Sequence, residues 1–306
     1  MNIKTLNFSD KKIVVIGTIF VDIKGYPEGL FIPKGRNAGR IEYKYGGVAR
    51  NIAEDLTGLG CRPVFVSLCD RFGVGALIPE TLESAGVDIR YLKAVDDGIG
   101  TWMVILDSEG DVCANLSKRQ NLLPLCDILD TEGEGIFADA AGILLEMDIE
   151  EEIVSRVFDY AERYGIDVYG VISNMTIALD RIEYIRKTRC FICNRQEAGQ
   201  LFEKDTLNIP AQNMTELLDN GMEQKGIRCM VVTMDKDGAV YIDKGKEKGM
   251  CPAIPTEIID STGAGDSFFA GAAAAMVNGY TLADACRIGS CMASEVIKTT
   301  ENVYRK

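Results

Sequence analysis

Short apolar runs recur along the chain, and most are separated by segments of helical spacing. KIVVIG over 12–17 is apolar after its first residue, as expected of a parallel strand covered on both faces. GVARNIAEDLTGLG over 47–60 places Val48, Ile52, Leu56 and Leu59 on one helical face, and Gly60 can cap its end. PVFVSL (63–68) reads as the next strand and GALIPETLESAG (75–86) as a helix ending at Gly86. Further strands are predicted at 142–146, 167–172, 189–193 and 229–234. Helical patterns fall between them at 151–165, 177–187 and 213–226. Such alternation predicts an α/β fold: a doubly wound, mostly parallel sheet with helices on both faces.

Two segments break the rhythm. Residues about 19–45 are rich in Gly and Pro without helical period, and 100–116 alternates Trp102, Val104 and Leu106 before a DSEGD turn. They are expected to form a small β appendage, a lid able to close over a site. No repeat or linker divides the chain, so 1–306 is expected to be one domain.

Composition narrows the chemistry. The 306 residues are 47% hydrophobic, enough for a large core. There are 33 basic and 46 acidic residues, a net charge of −13, which argues against a nucleic-acid polymer as partner. Histidine is absent, so Ser-His-Asp and Cys-His chemistry and a His-held metal are excluded. No apolar run is long enough to span a membrane and the first residues lack a signal-peptide core, so a cytoplasmic protein is expected. Ten cysteines are scattered, many in apolar runs, as buried reduced thiols would be. The one CxxC, Cys190 and Cys193, lies in a strand-like run that should point the two thiols to opposite faces.

The richest chemistry lies in DSTGAGD, residues 260–266. Ile258 and Ile259 precede it, and GAGDSFFAGAAAAM reads as a helix that would begin at a strand's carboxyl end. Gly263, Ala264 and Gly265 would let a ligand approach backbone N–H groups at the positive end of that helix, an oxyanion or phosphate cradle. Asp266 lies beside the cradle, suited to take a proton from a hydroxyl attacking a phosphoryl group. The plainer alternative is a helix start capped by Asp260, Ser261 or Thr262, with Asp266 complementing the dipole.

The ordered string is similar to the D-T-T-G-A-G-D motif of the ribokinase-like (PfkB) carbohydrate and nucleoside kinases. Companion segments follow in the family's order over nearly the whole chain: Asp22, GGVARN (46–51), LCDRFG (68–73), SAGVDI (84–89), NRQE (194–197) and VVTMDKDG (231–238). The resemblance implies a three-layer α/β/α sandwich with a β lid and ATP-dependent phosphorylation of an alcohol. It makes Asp266 the catalytic base and Gly263, Ala264 and Gly265 the anion hole. It gives the sugar to Asp22, Gly46, Gly47 and Asn51, and the nucleotide side to Asn194, Glu197, Thr233 and Gly238. Glu197 would organise Mg²⁺ through water; the competing reading of Asn194 and Glu197 is a helix capping box. Asp260 and Thr262 occupy positions that imply K⁺. A homodimer through the β lid is a further expectation.

Within the family, DIKGYPEG, the 37–60 block and CPAIPTEI look most like pseudouridine kinases, which phosphorylate the ribose 5′-hydroxyl of a C-nucleoside. Ribose, fructose and adenosine are the alternatives among kinases. A catalytically silent binding protein on the same fold is the alternative outside them, and retention of Asp266 speaks against it. Two departures stand out. Lys118 and Arg119 occupy the end of the second lid strand, where an acidic stretch is usual, and Asp235 stands where a Gly is common.

Overall fold

The computed structural model describes residues 3–8, 11–107 and 111–306. Ser108, Glu109 and Gly110 of the expected DSEGD turn lie outside the described residues. Strands run at Lys12–Ile16 (β1), Phe20–Pro27 (β2), Gly39–Gly46 (β3), Arg62–Asp70 (β4), Asp88–Val95 (β5), Gly100–Leu106 (β6) and Val112–Lys118 (β7). The later ones are Ala140–Glu146 (β8), Val168–Val171 (β9), Cys190–Asn194 (β10), Cys229–Thr233 (β11), Ala239–Asp243 (β12) and Glu247–Cys251 (β13).

Among the described residues they form two sheets. The large one has nine strands in the order β13-β12-β11-β10-β9-β8-β1-β4-β5. It is parallel except at one edge, where β12 runs antiparallel to β11 and β13. The small one has the order β3-β2-β6-β7, with antiparallel pairs at both sides and a parallel β2–β6 pair at its centre.

The continuous apolar strands divide their side chains by parity, because successive side chains leave a strand on opposite faces. Ile13 and Val15 of β1 join one core and Val14 and Ile16 the other. The first core takes in helices Val48–Gly58, Ala264–Val277 and Leu282–Val296; the second takes in Leu125–Phe137, Glu151–Tyr164 and Ala211–Lys225. The result is an α/β/α sandwich. Phe65 is fully buried in the first core, where Phe→Ala would cost about 3–5 kcal/mol. The alanine run of Ala264–Val277 reflects a close helix–helix approach: a Cβ on Gly271 would come within 3.1 Å of the Gly289 Cα.

The CxxC follows the same parity. Cys190 faces the first core and Cys193 the second, and burial drives both thiols well above the ordinary range. Neither is the low-pKa thiol of a redox pair. One expectation is corrected. Ile258 and Ile259 do not end a strand: β13 stops at Cys251, both isoleucines are exposed, and 252–263 is loop. Their backbone turns instead to the chain after the last helix, where the Ile259 N–H donates to the Ile297 carbonyl at 2.8 Å. The sequence pattern also left out helix Leu125–Phe137, whose face is interrupted by Glu and Gly, and the edge strands β12 and β13.

Candidate active site

Helix Ala264–Val277 begins at Gly263, whose backbone is left-handed (φ 82°). A Cβ there would lie 2.0 Å from the Asn302 carbonyl oxygen, so this position takes glycine for two independent reasons. The first intrahelical bond runs from the Ser267 N–H to the Gly263 carbonyl at 2.9 Å. The N–H groups of Gly265 and Asp266 therefore leave the helix end without an intrahelical acceptor. A Cβ on Gly265 would meet no atom within 4 Å. The two glycines differ: Gly263 is required by the fold, while Gly265 keeps an approach clear.

Asp266 stands in the first turn of this helix, and its Oδ2 accepts a 2.7 Å hydrogen bond from Asn51 Nδ2. Asn51 lies in the first turn of helix Val48–Gly58, so the two helices converge at their N-terminal ends. Burial pushes the Asp266 carboxyl up to about 6; Asn51 opposes the shift and Glu197 adds to it. Ser267, the next residue after Asp266, donates from Oγ at 2.8 Å to the buried Asp55, one turn beyond Asn51, and locks the pair. Asn302 completes the junction, donating from Nδ2 to the Tyr45 carbonyl (2.7 Å) and to Asn51 Oδ1 (3.3 Å).

The small sheet brings Asp22 to the same place. A Cβ on Gly46 would lie 3.9 Å from Asn302 Nδ2 and 4.0 Å from Asp22 Oδ2, so these groups surround one space. Burial raises the Asp22 carboxyl, against Lys24 and Lys44. Gly47 caps helix Val48–Gly58 at φ 102°, packed against the Thr18 carbonyl.

Asn194 and Glu197 form a complete capping box. Asn194 Oδ1 accepts from the Glu197 N–H (2.9 Å) and Glu197 Oε2 from the Asn194 N–H (2.8 Å). The structural reading of this pair is therefore realised, and the carboxylate still reaches Asp266 through its charge. Burial raises Glu197, and Asp148 raises it further. Thr233 lies next to Asn194 in the β10–β11 register. Gly238 turns the chain between β11 and β12 at φ 88°, where a Cβ would lie 2.1 Å from the Cys251 carbonyl. Asp235, in the same turn, is left-handed at φ 50°, a conformation glycine adopts without strain. Arg195 pairs with Asp237 at 2.8 Å and ties this turn to the start of the NRQE helix.

Asp260 and Thr262 lie together, with Asp260 Oδ1 accepting from the Thr262 N–H at 2.9 Å. The other oxygen of Asp260 faces Lys44 Nζ at 3.3 Å. Lys118 and Arg119 are not free loop residues. Lys118 pairs with Asp97, and Arg119 donates to the Asp148 carbonyl at 2.8 Å.

The sequence reading passed over two buried carboxylates, Glu146 and Asp148, at the carboxyl end of β8. Glu146 accepts from the Thr18 N–H (2.7 Å) and hydroxyl (2.9 Å); burial and Asp148 push it up to about 8. Asp148 accepts from the Ser173 N–H (2.9 Å) and hydroxyl (2.7 Å). Their signal was present: GILLEMD closes an apolar parallel strand with carboxylates at the edge where ligands gather.

A family model described as pfkB family carbohydrate kinase matches residues 10–303. The chain is 30% identical to the guanosine-inosine kinase of Exiguobacterium acetylicum, over 95% of this chain and 96% of that protein. It is 28% identical to the pseudouridine kinase of Escherichia coli (strain K12), over 90% and 87%. The structure of Arabidopsis thaliana ribokinase complexed with ribose and ATP matches with a TM-score of 0.84 at 22% identity, covering 95% of this chain and 94% of that one. Ribokinase from Cryptococcus neoformans var. grubii serotype A in complex with ADP matches at 0.80 and 19%, covering 97% and 98%. The α/β/α sandwich with its smaller sheet is thus a ribokinase-like fold. The chain belongs to the pfkB family of carbohydrate kinases, and it is a sugar or nucleoside kinase.

Proposed function

We propose that the protein transfers the γ-phosphoryl group of ATP to the ribose 5′-hydroxyl of a nucleoside. The observation that carries this reading is the 2.7 Å bond from Asn51 to Asp266, which joins the sugar-side block to the helix end with the cleared Gly265. Asp22 and Asn51 hold the sugar: a carboxylate accepts from neighbouring hydroxyls, and an amide both donates and accepts. Asn51 fixes Oδ2 of Asp266, leaving the other oxygen to receive the proton of the 5′-hydroxyl as it attacks. With its carboxyl raised to about 6, Asp266 is mainly ionised at neutral pH and still basic enough to accept that proton late in a loose transition state. The Gly265 and Asp266 N–H groups face the charge that develops on the transferred phosphoryl.

Asn194, Glu197 and Thr233 border the nucleotide side, and the Gly238 turn closes it. Among the described residues no three His, Cys, Asp or Glu side chains are grouped to hold a metal directly. Glu197 nonetheless raises the Asp266 carboxyl, Asp148 raises Glu197, and Asp148 and Asp266 raise Glu146, a negative field that suits a hydrated Mg²⁺ brought with the nucleotide. Glu197 would hold such an ion through water, and the ion would offset charge on the phosphate oxygens. The whole chain acts as one kinase unit, with the four-stranded sheet as lid over the sugar end. Ile41, Tyr43, Met103 and Leu116 expose an apolar surface on that sheet, which supports a homodimer through it. No disulfide joins the described cysteines, in keeping with a reducing, cytoplasmic setting; no described helix is long and apolar enough to cross a membrane.

Both named nucleoside kinases support a nucleoside over a free sugar, and pseudouridine, inosine and guanosine are the acceptors to compare. The test is ADP release with these three, adenosine, uridine, ribose and fructose, with Asp266→Asn as control for contaminating kinase. The expected result is a kcat/KM for one nucleoside well above that for ribose and fructose. A preference for a free sugar removes the nucleoside assignment and leaves the kinase.

A further inference from the structure

Three separate segments meet behind the helix end that carries Gly265 and Asp266. They are β3, the 252–263 loop, and the chain that follows helix Leu282–Val296. The loop is stitched to the last of these by backbone bonds from the Ile259 and Asp260 N–H groups to the Ile297 carbonyl, at 2.8 and 3.4 Å. One side chain from β3 reaches both. Lys44 Nζ lies 3.3 Å from Asp260 Oδ2 and donates to the Thr300 carbonyl at 2.8 Å. Its side chain is only 24% exposed, so solvent screens this pairing less than it would a surface ion pair.

We infer that Lys44 serves as a tethered monovalent cation, holding the Asp260 carboxylate and the Thr300 carbonyl in place of the K⁺ that the family resemblance implies. The residues do not fit a separate K⁺. Both Asp260 oxygens are engaged, Oδ1 by the Thr262 N–H and Oδ2 by Lys44, and Thr300 contributes its carbonyl to the same ammonium. A second cation at these oxygens would stand against a fixed positive charge. An ammonium tethered to the chain supplies that charge at every salt composition. It also carries a further consequence, because Lys44 lies directly opposite Asp22 in the β2–β3 register. The same residue therefore couples the sugar-side sheet to the loop that sets Gly263, making Lys44 a positioning residue.

The effect on turnover rests on the proposed anion hole; the effect on cation binding does not. The test compares wild type, Lys44→Met and Lys44→Arg in K⁺ and in tetramethylammonium at equal ionic strength, by kinase assay and by thermal melting. Wild type and Lys44→Arg should show the same kcat and the same Tm in both salts. Lys44→Met should lose about tenfold in kcat without K⁺, regain it on addition of K⁺ or NH₄⁺, and show a saturable K⁺-dependent rise in Tm. Saturable K⁺ activation or a K⁺-specific Tm rise in wild type would overturn the inference, whether or not Lys44→Met folds. So would a folded Lys44→Met that is indifferent to K⁺ in both readouts. A Tm pattern as expected, with no kinase activity in any variant, would leave the cation assignment standing and remove the kinase reading.

Discussion

Asn51 and Asp266 are 215 residues apart in the chain, yet Asn51 Nδ2 donates to Asp266 Oδ2 at 2.7 Å. Each sits in the first turn of its helix, so one bond sets the angle between two N-terminal ends and aims the carboxylate at the space they share. The bond also lowers the Asp266 carboxyl against a larger effect of burial.

Replacing Asp266 by Asn should reduce kcat by about 10² to 10⁴, the range for loss of a general base. The fold should survive, since the amide keeps the shape and discards a buried charge. Near-normal turnover of the best nucleoside by a well-folded variant would show that another group takes the proton.

The acid limb of kcat/KM should fall near pH 6, where the Asp266 carboxyl titrates. Activity should be lost below that pH, as the base becomes protonated. Asn51→Ala removes the bond that favours the ionised form, so its limb should move to higher pH while KM for the nucleoside rises. A pH–rate profile decides, and an unmoved limb would mean that Asn51 does not tune the base.

The two glycines of the cradle should fail in different ways. Gly263→Ala forces a side chain onto the Asn302 carbonyl at positive φ and should destabilise the protein by about 1–3 kcal/mol or more. Gly265→Val enters open space, so its Tm should stay close to wild type while kcat drops about 10²-fold through obstruction of the N–H groups. Parallel melts and assays separate the two, and equal loss of stability in both would leave only a structural helix start.

Stability should fall as pH rises from about 5 to 8. Glu146 is raised from 4.5 to about 8, and Asp266 from 3.8 to about 6, so over this window the folded chain binds more protons than the unfolded one. Glu146→Gln keeps an acceptor for the Thr18 N–H and removes the titration, so its Tm should change less across the window. A wild-type Tm flat from pH 5 to 8 would contradict these raised carboxyls.

The sequence by itself determined the layers and the chemistry of the helix end. Unbroken apolar runs such as KIVVIG require cover on both faces, and the strict parity of strands sent Cys190 and Cys193 to different cores. The ordered string from Asp260 to Asp266 placed small residues and a carboxylate at one helix start, which is a local matter of backbone and side-chain size. Elements at the margin were less legible. Ile258 and Ile259 have the letters of a strand but no partner strand, because pairing is decided by a neighbour and not by the run itself. Only the tertiary structure decided which distant residues meet. It gave Asp266 its Asn51, set Glu146 and Asp148 at the edge of the site, and brought Lys44 of the small sheet to Asp260. Those contacts depend on where strands and helices end in space. No period in the chain encodes that, since a hydrogen bond or an ion pair is fixed to within an ångström by packing that the whole fold provides.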